Sequence, residues 1–164
     1  MHIVYTCYGG AHSSPVAAAV HLGRLPRHRT PAAAELLALP LFDRTDSRGH
    51  GVLYEVGVDE GGNPVYVLGR GRAGTSVLRA LQSGYALAGG AQGELLFVDT
   101  LQAVNAWMRI GGFLSRALGW VRLGRPIVIY GTRRAYPRLV RLVAEVEARL
   151  NPSGGSTRPH RSPR

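Results

Sequence analysis

Apolar residues along the chain fall into short blocks separated by glycine, proline and polar turns, and the spacing within each block predicts its structure. Residues 3–8, Ile-Val-Tyr-Thr-Cys-Tyr, read as a buried strand that Gly9 and Gly10 end. Ser14-Pro15 then carries a helix start signal, serine as cap and proline at the first helical position. The alanine-rich run 16–22 continues that helix to Gly23. Thr30-Pro31 repeats the signal for a short helix over 32–39, which Pro40 stops. Two strand patterns follow, 52–58 and 64–68, joined by the hairpin turn Asp59-Glu60-Gly61-Gly62-Asn63. Residues 73–88 read as a helix and 94–98 as an apolar strand. Residues 101–118 read as a longer helix, bent at Gly111-Gly112. The block 126–130, Pro-Ile-Val-Ile-Tyr, reads as a last strand, and 136–150 as a last helix with Leu139, Val140, Val143, Val146 and Leu150 at helical spacing.

Strands alternating with helices imply an α/β fold: a mostly parallel sheet with helices on both faces, plus an antiparallel hairpin at one edge. One domain over residues 1–150 is expected. Residues 151–164 are rich in Ser, Gly, Pro and Arg and are expected to form a disordered basic tail. In such sheets ligands bind beyond the carboxyl ends of the strands. The loops after Tyr8, Val98 and Tyr130 are therefore the places to look.

The 164 residues are 45% hydrophobic, enough for a core. No apolar run approaches the length of a membrane span, so no membrane association is expected. Residues 1–5 lack a signal-peptide pattern, and Met1 is expected to begin the mature chain. The single cysteine, Cys7, cannot form an internal disulfide, and cytoplasmic localisation is the expectation. The formal charge is +10, and all 20 basic residues are arginine. A GC-rich genome explains that bias without reference to function. It also leaves no lysine for a phosphate clamp, so cationic chemistry would fall to arginine.

The segment Gly9-Gly10-Ala11-His12-Ser13-Ser14 follows the first strand and enters a helix, where backbone N–H groups and the dipole favour an anion. Ser13 or Ser14 could add a hydroxyl to a phosphate, and Ser13 to a metal. His12 stands roughly where a P-loop has its lysine. The match to G-x-x-x-x-G-K-[ST] is partial, because Thr6 and Ala11 fall where its glycines belong. The alternative is a tight turn with serine capping. Leu95-Leu96-Phe97-Val98-Asp99 has the shape of a strand that ends in a Mg²⁺-holding carboxylate, with capping of the next helix by Asp99 as the alternative. Thr132, Arg133 and Arg134 after the 126–130 block could address a phosphate, or could simply begin a solvated helix. Arg70 and Arg72 form a similar basic loop. Asp43, Asp46 and His50 match no metal motif. If their loop folds over the end of the first strand, Asp43 or Asp46 would orient His12 as an acid–base pair. Cys7 lacks the arginine that an anion-loop phosphatase places six residues later, since that position holds Ser13. It reads as a small buried hydrophobe.

The ordered chain resembles an uncharacterised bacterial family, a domain of unknown function common in spore-forming bacteria. The resemblance rests on Cys7-Tyr8-Gly9-Gly10-Ala11-His12-Ser13-Ser14, Phe42-Asp43-Arg44-Thr45-Asp46, Tyr66-Val67-Leu68-Gly69-Arg70, Ile110-Gly111-Gly112-Phe113-Leu114-Ser115 and Tyr130-Gly131-Thr132-Arg133. It implies a bacterial source and no mechanism. The residues of the glycine-rich loop lead to the expectation of a phosphate- or nucleotide-binding protein, of phosphotransferase or hydrolase type, with Mg²⁺ accompanying a nucleotide. A phosphorylated small molecule or nucleotide is the expected partner. A non-enzymatic regulatory or binding protein, related to sporulation, and a nucleic-acid-binding domain are the alternatives. Oligomeric state is left open.

Overall fold

The computed structural model describes residues 1–151, with backbone only for Arg116 and Ala117. The expected basic tail lies outside the described residues, save Asn151. Strand β1 (His2–Cys7) is flanked by β3 (Pro64–Gly69) and β4 (Leu95–Asp99) and runs parallel to both. Strand β2 (Leu53–Val58) pairs antiparallel with β3, which gives the order β2-β3-β1-β4. The sheet is thus mixed and mostly parallel, as the alternating pattern implies. Thr6 lies opposite both Leu68 and Asp99, so β1, β3 and β4 finish at one edge.

Alternation along β1 divides its side chains between two faces. Ile3 and Tyr5, with Val65, Val67 and Val98 beside them, face helix α1 (Ser13–His21), every residue of which is buried. Over that layer lie the short helix α2 (Ala33–Leu37) and the second half of α5 (Val121–Leu150), through Leu36, Tyr136, Leu139, Val143 and Val146. Each such buried aliphatic contributes at most about 1.5–3 kcal/mol against an extended chain. On the opposite face, α3 (Thr75–Leu87) is held at its far end by Tyr85, whose ring meets His2 at 5.6 Å, while Tyr66 meets His2 at 5.8 Å. No residue of α3 is fully buried.

A polar chain ties β1 and α1 to the hairpin turn. Tyr5 Oη lies 2.8 Å from His21 Nδ1, and His21 Nε2 lies 3.1 Å from Asp59 Oδ2. Burial opposes ionisation of Asp59, but hydrogen bonds from Asn63 and His21 outweigh it and hold the carboxyl below its usual range. Burial pushes the Tyr5 phenol well above its ordinary value.

The expected strand over 126–130 does not exist. Helix α5 runs from Val121 to Leu150 through Pro126 and Pro137, so Thr132, Arg133 and Arg134 lie inside a helix and not in a loop. An interior proline removes one helical hydrogen bond and costs about 3 kcal/mol. Packing against α4 (Ala106–Gly112) offsets that loss. Gly124, Val128, Gly131 and Ala135 repeat at i, i+4, i+7 and i+11, and all four are buried. Backbone meets backbone there: a Cβ on Gly131 would lie 2.6 Å from Met108 N. Gly111 likewise abuts Val128, so the two helices run antiparallel. β-branched residues give the block its strand-like composition, but the small-residue period places it in a helix. The expected helix 101–118 also begins later. Residues Thr100–Ala103 form a 3-10 turn, Asn105 caps α4 by accepting from Met108 N–H, and a π-helical turn, Phe113–Ala117, follows.

Candidate functional site

The loop after β1 is built by backbone contact with the loop after β3. Arg70 N–H donates to Cys7 O and Gly71 N–H to Tyr8 O. Gly10 has φ +68°, and a Cβ there would lie 3.0 Å from Gly69 N. Both its conformation and its neighbour therefore demand glycine. Gly9 is less constrained, since its nearest neighbour would be Ala11 Cβ at 4.0 Å.

Helix α1 begins at Ser13, with His12 at its cap position and Pro15 in its first turn, two residues earlier than the Ser14-Pro15 signal implies. The serine hydroxyls are already engaged. Ser14 Oγ shares a 3.0 Å hydrogen bond with Cys7 Sγ, which also accepts from Gly10 N–H. Ser13 Oγ lies 2.8 Å from Thr100 Oγ1, which donates to Thr6 O. Gly10, Ala11, Ser13 and Ser14 are buried, so the loop meets solvent through Tyr8, Gly9 and His12.

Asp43 is the electrostatic centre of the region. It is buried, has φ +53°, and its N–H donates to Ala11 O. His12 Nε2 lies 3.2 Å from Asp43 Oδ1, Ser115 Oγ donates to the same oxygen at 2.7 Å, and Arg125 Nε donates to Oδ2 at 2.8 Å. Burial alone would raise the Asp43 pKa. The bonds from His12, Arg125 and Ser115 outweigh it and hold the carboxyl far below the usual carboxylate range. An ionised Asp43 only accepts, so His12 Nε2 carries the proton and Nδ1 is the nitrogen left for chemistry. Phe42 braces the imidazole edge-on at 5.6 Å. A Cβ on Gly112 would lie 3.3 Å from Nδ1, so a side chain there would crowd that nitrogen. Thr45 Oγ1 donates to Gly9 O and pins the Asp43 loop across the glycine loop.

Of the residues singled out from sequence, the structure joins His12 to Asp43. Asp46 is exposed and caps a 3-10 turn by accepting from Arg48 N–H; among the described residues no contact joins it to His12. Asp99 stands at the same sheet edge as the glycine loop. It pairs with Arg70 at 2.8 Å and accepts from Leu101 N–H, which is the capping alternative. With Ser13 bonded to Thr100 and Asp99 to Arg70, these two donors as placed do not fit a Mg²⁺ site. No group of three His, Cys, Asp or Glu is arranged to hold a metal among the described residues. Within α5, Thr132 is buried, Arg133 Nε donates to Pro31 O, and Arg134 caps the Tyr130 ring and hydroxyl. None of the three bonds to the glycine loop among the described residues. Ser115 and Arg125 escape a reading by motif. Ser115 falls in a segment that carries the family resemblance; Arg125 gives no signal, because only the α4–α5 packing brings it to Asp43.

The chain belongs to a family described as "Protein of unknown function (DUF3189)", whose model matches residues 2–148. No curated protein and no solved structure matches it.

Proposed function

We propose that this DUF3189 protein binds a phosphate-bearing small molecule or nucleotide over Tyr8, Gly9 and His12, and that His12 with Asp43 forms the acid–base pair of a phosphotransferase or hydrolase. The observation that carries the reading is His12, at the cap of α1 and partly exposed beside the glycine loop, hydrogen-bonded to a buried, ionised Asp43. A carboxylate behind an imidazole fixes its tautomer, so Nδ1 can take a proton from an attacking hydroxyl or water and return it to a leaving group. When protonated, the ring donates to a phosphate oxygen. The half-exposed Arg125 uses Nε for Asp43, and its terminal nitrogens bond to no other acceptor among the described residues, so they supply a second cationic contact.

The test is a thermal-shift screen of nucleotides and phosphorylated metabolites, with and without Mg²⁺, on the native chain and on His12→Ala. A ligand that binds only the folded state raises its stability by mass action. The expected result is a shift by one phosphorylated class that His12→Ala abolishes while keeping its fold. A ligand bound normally by a destabilised His12→Ala protein would make His12 a structural residue and sink the assignment. Binding that depends on His12 but brings no turnover would leave a non-enzymatic binding protein.

A further inference from the structure

Between Asp99 and Glu145 the chain has no acidic residue and eight arginines. That stretch forms the antiparallel pair α4–α5 and the turn between them. Its inward side is the glycine contact already described. Its outward side is apolar: Trp107, Ile110 and Phe113 recur at three-residue spacing, Leu118 and Trp120 occupy the turn, and Leu123 and Tyr130 continue along α5. Trp120 is 58% exposed and Leu123 62%. Trp107 and Tyr130 meet ring to ring at 5.7 Å, which joins the two helices' stripes into one surface. Arg109, Arg122, Arg133 and Arg134 are exposed on the same two helices.

We infer that this face is a docking surface for an anionic lipid bilayer, with the α4–α5 turn entering the headgroup–acyl boundary. Contiguous exposed apolar surface of this kind marks an interaction site. The charge selects the occupant. A second copy of the chain meeting the same face would set arginine against arginine with no acid to neutralise it. Nucleic acid would satisfy the arginines and could stack on the aromatic rings, but it would leave Ile110, Leu118 and Leu123 without an apolar partner. A bilayer of acidic lipids satisfies both requirements: phosphates for guanidinium groups, acyl chains for leucine and isoleucine, and the interface itself for tryptophan. No helix of the described residues is long and apolar enough to cross a membrane. A surface-lying turn needs no such run, so the expectation of no membrane drawn from run length does not bear on it.

The chain's two tryptophans both lie on this face, so intrinsic fluorescence reads it directly. The full chain is mixed with vesicles of phosphatidylcholine alone or containing phosphatidylglycerol, and sedimentation and tryptophan emission are followed. Co-sedimentation with the acidic vesicles, a blue shift and quenching by brominated acyl chains are expected. A Trp120→Ser, Leu123→Ser double variant, with unchanged circular dichroism, should bind about tenfold more weakly or worse, since inserted apolar area sets affinity. Vesicle binding that leaves emission unchanged and that salt abolishes would assign the attraction to charge alone, including the arginines at 158, 161 and 164, and overturn the inference. So would a dimer in solution that buries the tryptophans, or single-stranded RNA binding more tightly than the acidic vesicles.

Discussion

Replacing Asp43 with asparagine keeps the side-chain shape and the tolerance for a left-handed backbone, and removes only the charge and one acceptor. Among the described residues, three donors converge on the native carboxylate: Ser115 at 2.7 Å, Arg125 at 2.8 Å and His12 at 3.2 Å. An amide has a single oxygen, so its NH₂ must confront at least one of them. Charge-assisted bonds contribute about 1.5–3 kcal/mol each, and a donor left unsatisfied in the interior costs about 1–3 kcal/mol. Arg125 is half-exposed, so water replaces part of what it loses, whereas Ser115 is buried. The expected loss is therefore about 2–4 kcal/mol near neutral pH, read as a lower urea midpoint with unchanged slope. Acid should shrink the difference. Because the folded pKa of Asp43 is depressed, its contribution is complete above the unfolded value near 3.9 and is lost as pH falls through the folded one. The gap between native and Asp43→Asn proteins should hold down to about pH 4 and narrow below it. Asp46→Asn, the same change at an exposed turn cap, should cost no more than about 0.5 kcal/mol. Equal urea midpoints for native and Asp43→Asn proteins, or a gap unaffected by acid, would refute the assignment of Asp43 as a buried ionised hub.

Three further outcomes are expected. Gly112 has ordinary helical angles, so Gly112→Ala should keep or slightly raise stability, by up to about 1 kcal/mol, while its Cβ crowds His12 and weakens ligand binding in the thermal-shift assay. Gly131→Ala puts a Cβ 2.6 Å from the Met108 backbone and should lower stability by about 1–3 kcal/mol in urea unfolding. Thr132 Oγ1 is buried without a partner among the described residues, so Thr132→Val should be neutral or stabilising by about 1 kcal/mol, visible as an unchanged or higher melting temperature.

Much of the fold is local in origin and legible from spacing alone. The run 3–8, the hairpin at 59–63 and the apolar block before Asp99 each carry their own strand signal. Parallel pairing of β1 with β4 follows from helices that intervene between strands. The proximity of His12 and Asp43 was visible only as a conditional: a polar loop that, once folded over the first strand, brings a carboxylate to the imidazole. Tertiary structure decided which aspartate. Asp43 takes a left-handed backbone bonded to Ala11, while Asp46 turns outward to cap its own turn. It also decided the fate of 126–130. Isoleucine and valine there favour a strand locally, but glycines at 124 and 131 let α4 approach to backbone contact, and that close packing outweighs both β propensity and an interior proline. Arg125 and Ser115 reach Asp43 only because of that packing. A hub whose donors among the described residues come from positions 12, 115 and 125 has no local signature, since contacts so distant in sequence are set by how helices pack and not by neighbouring residues.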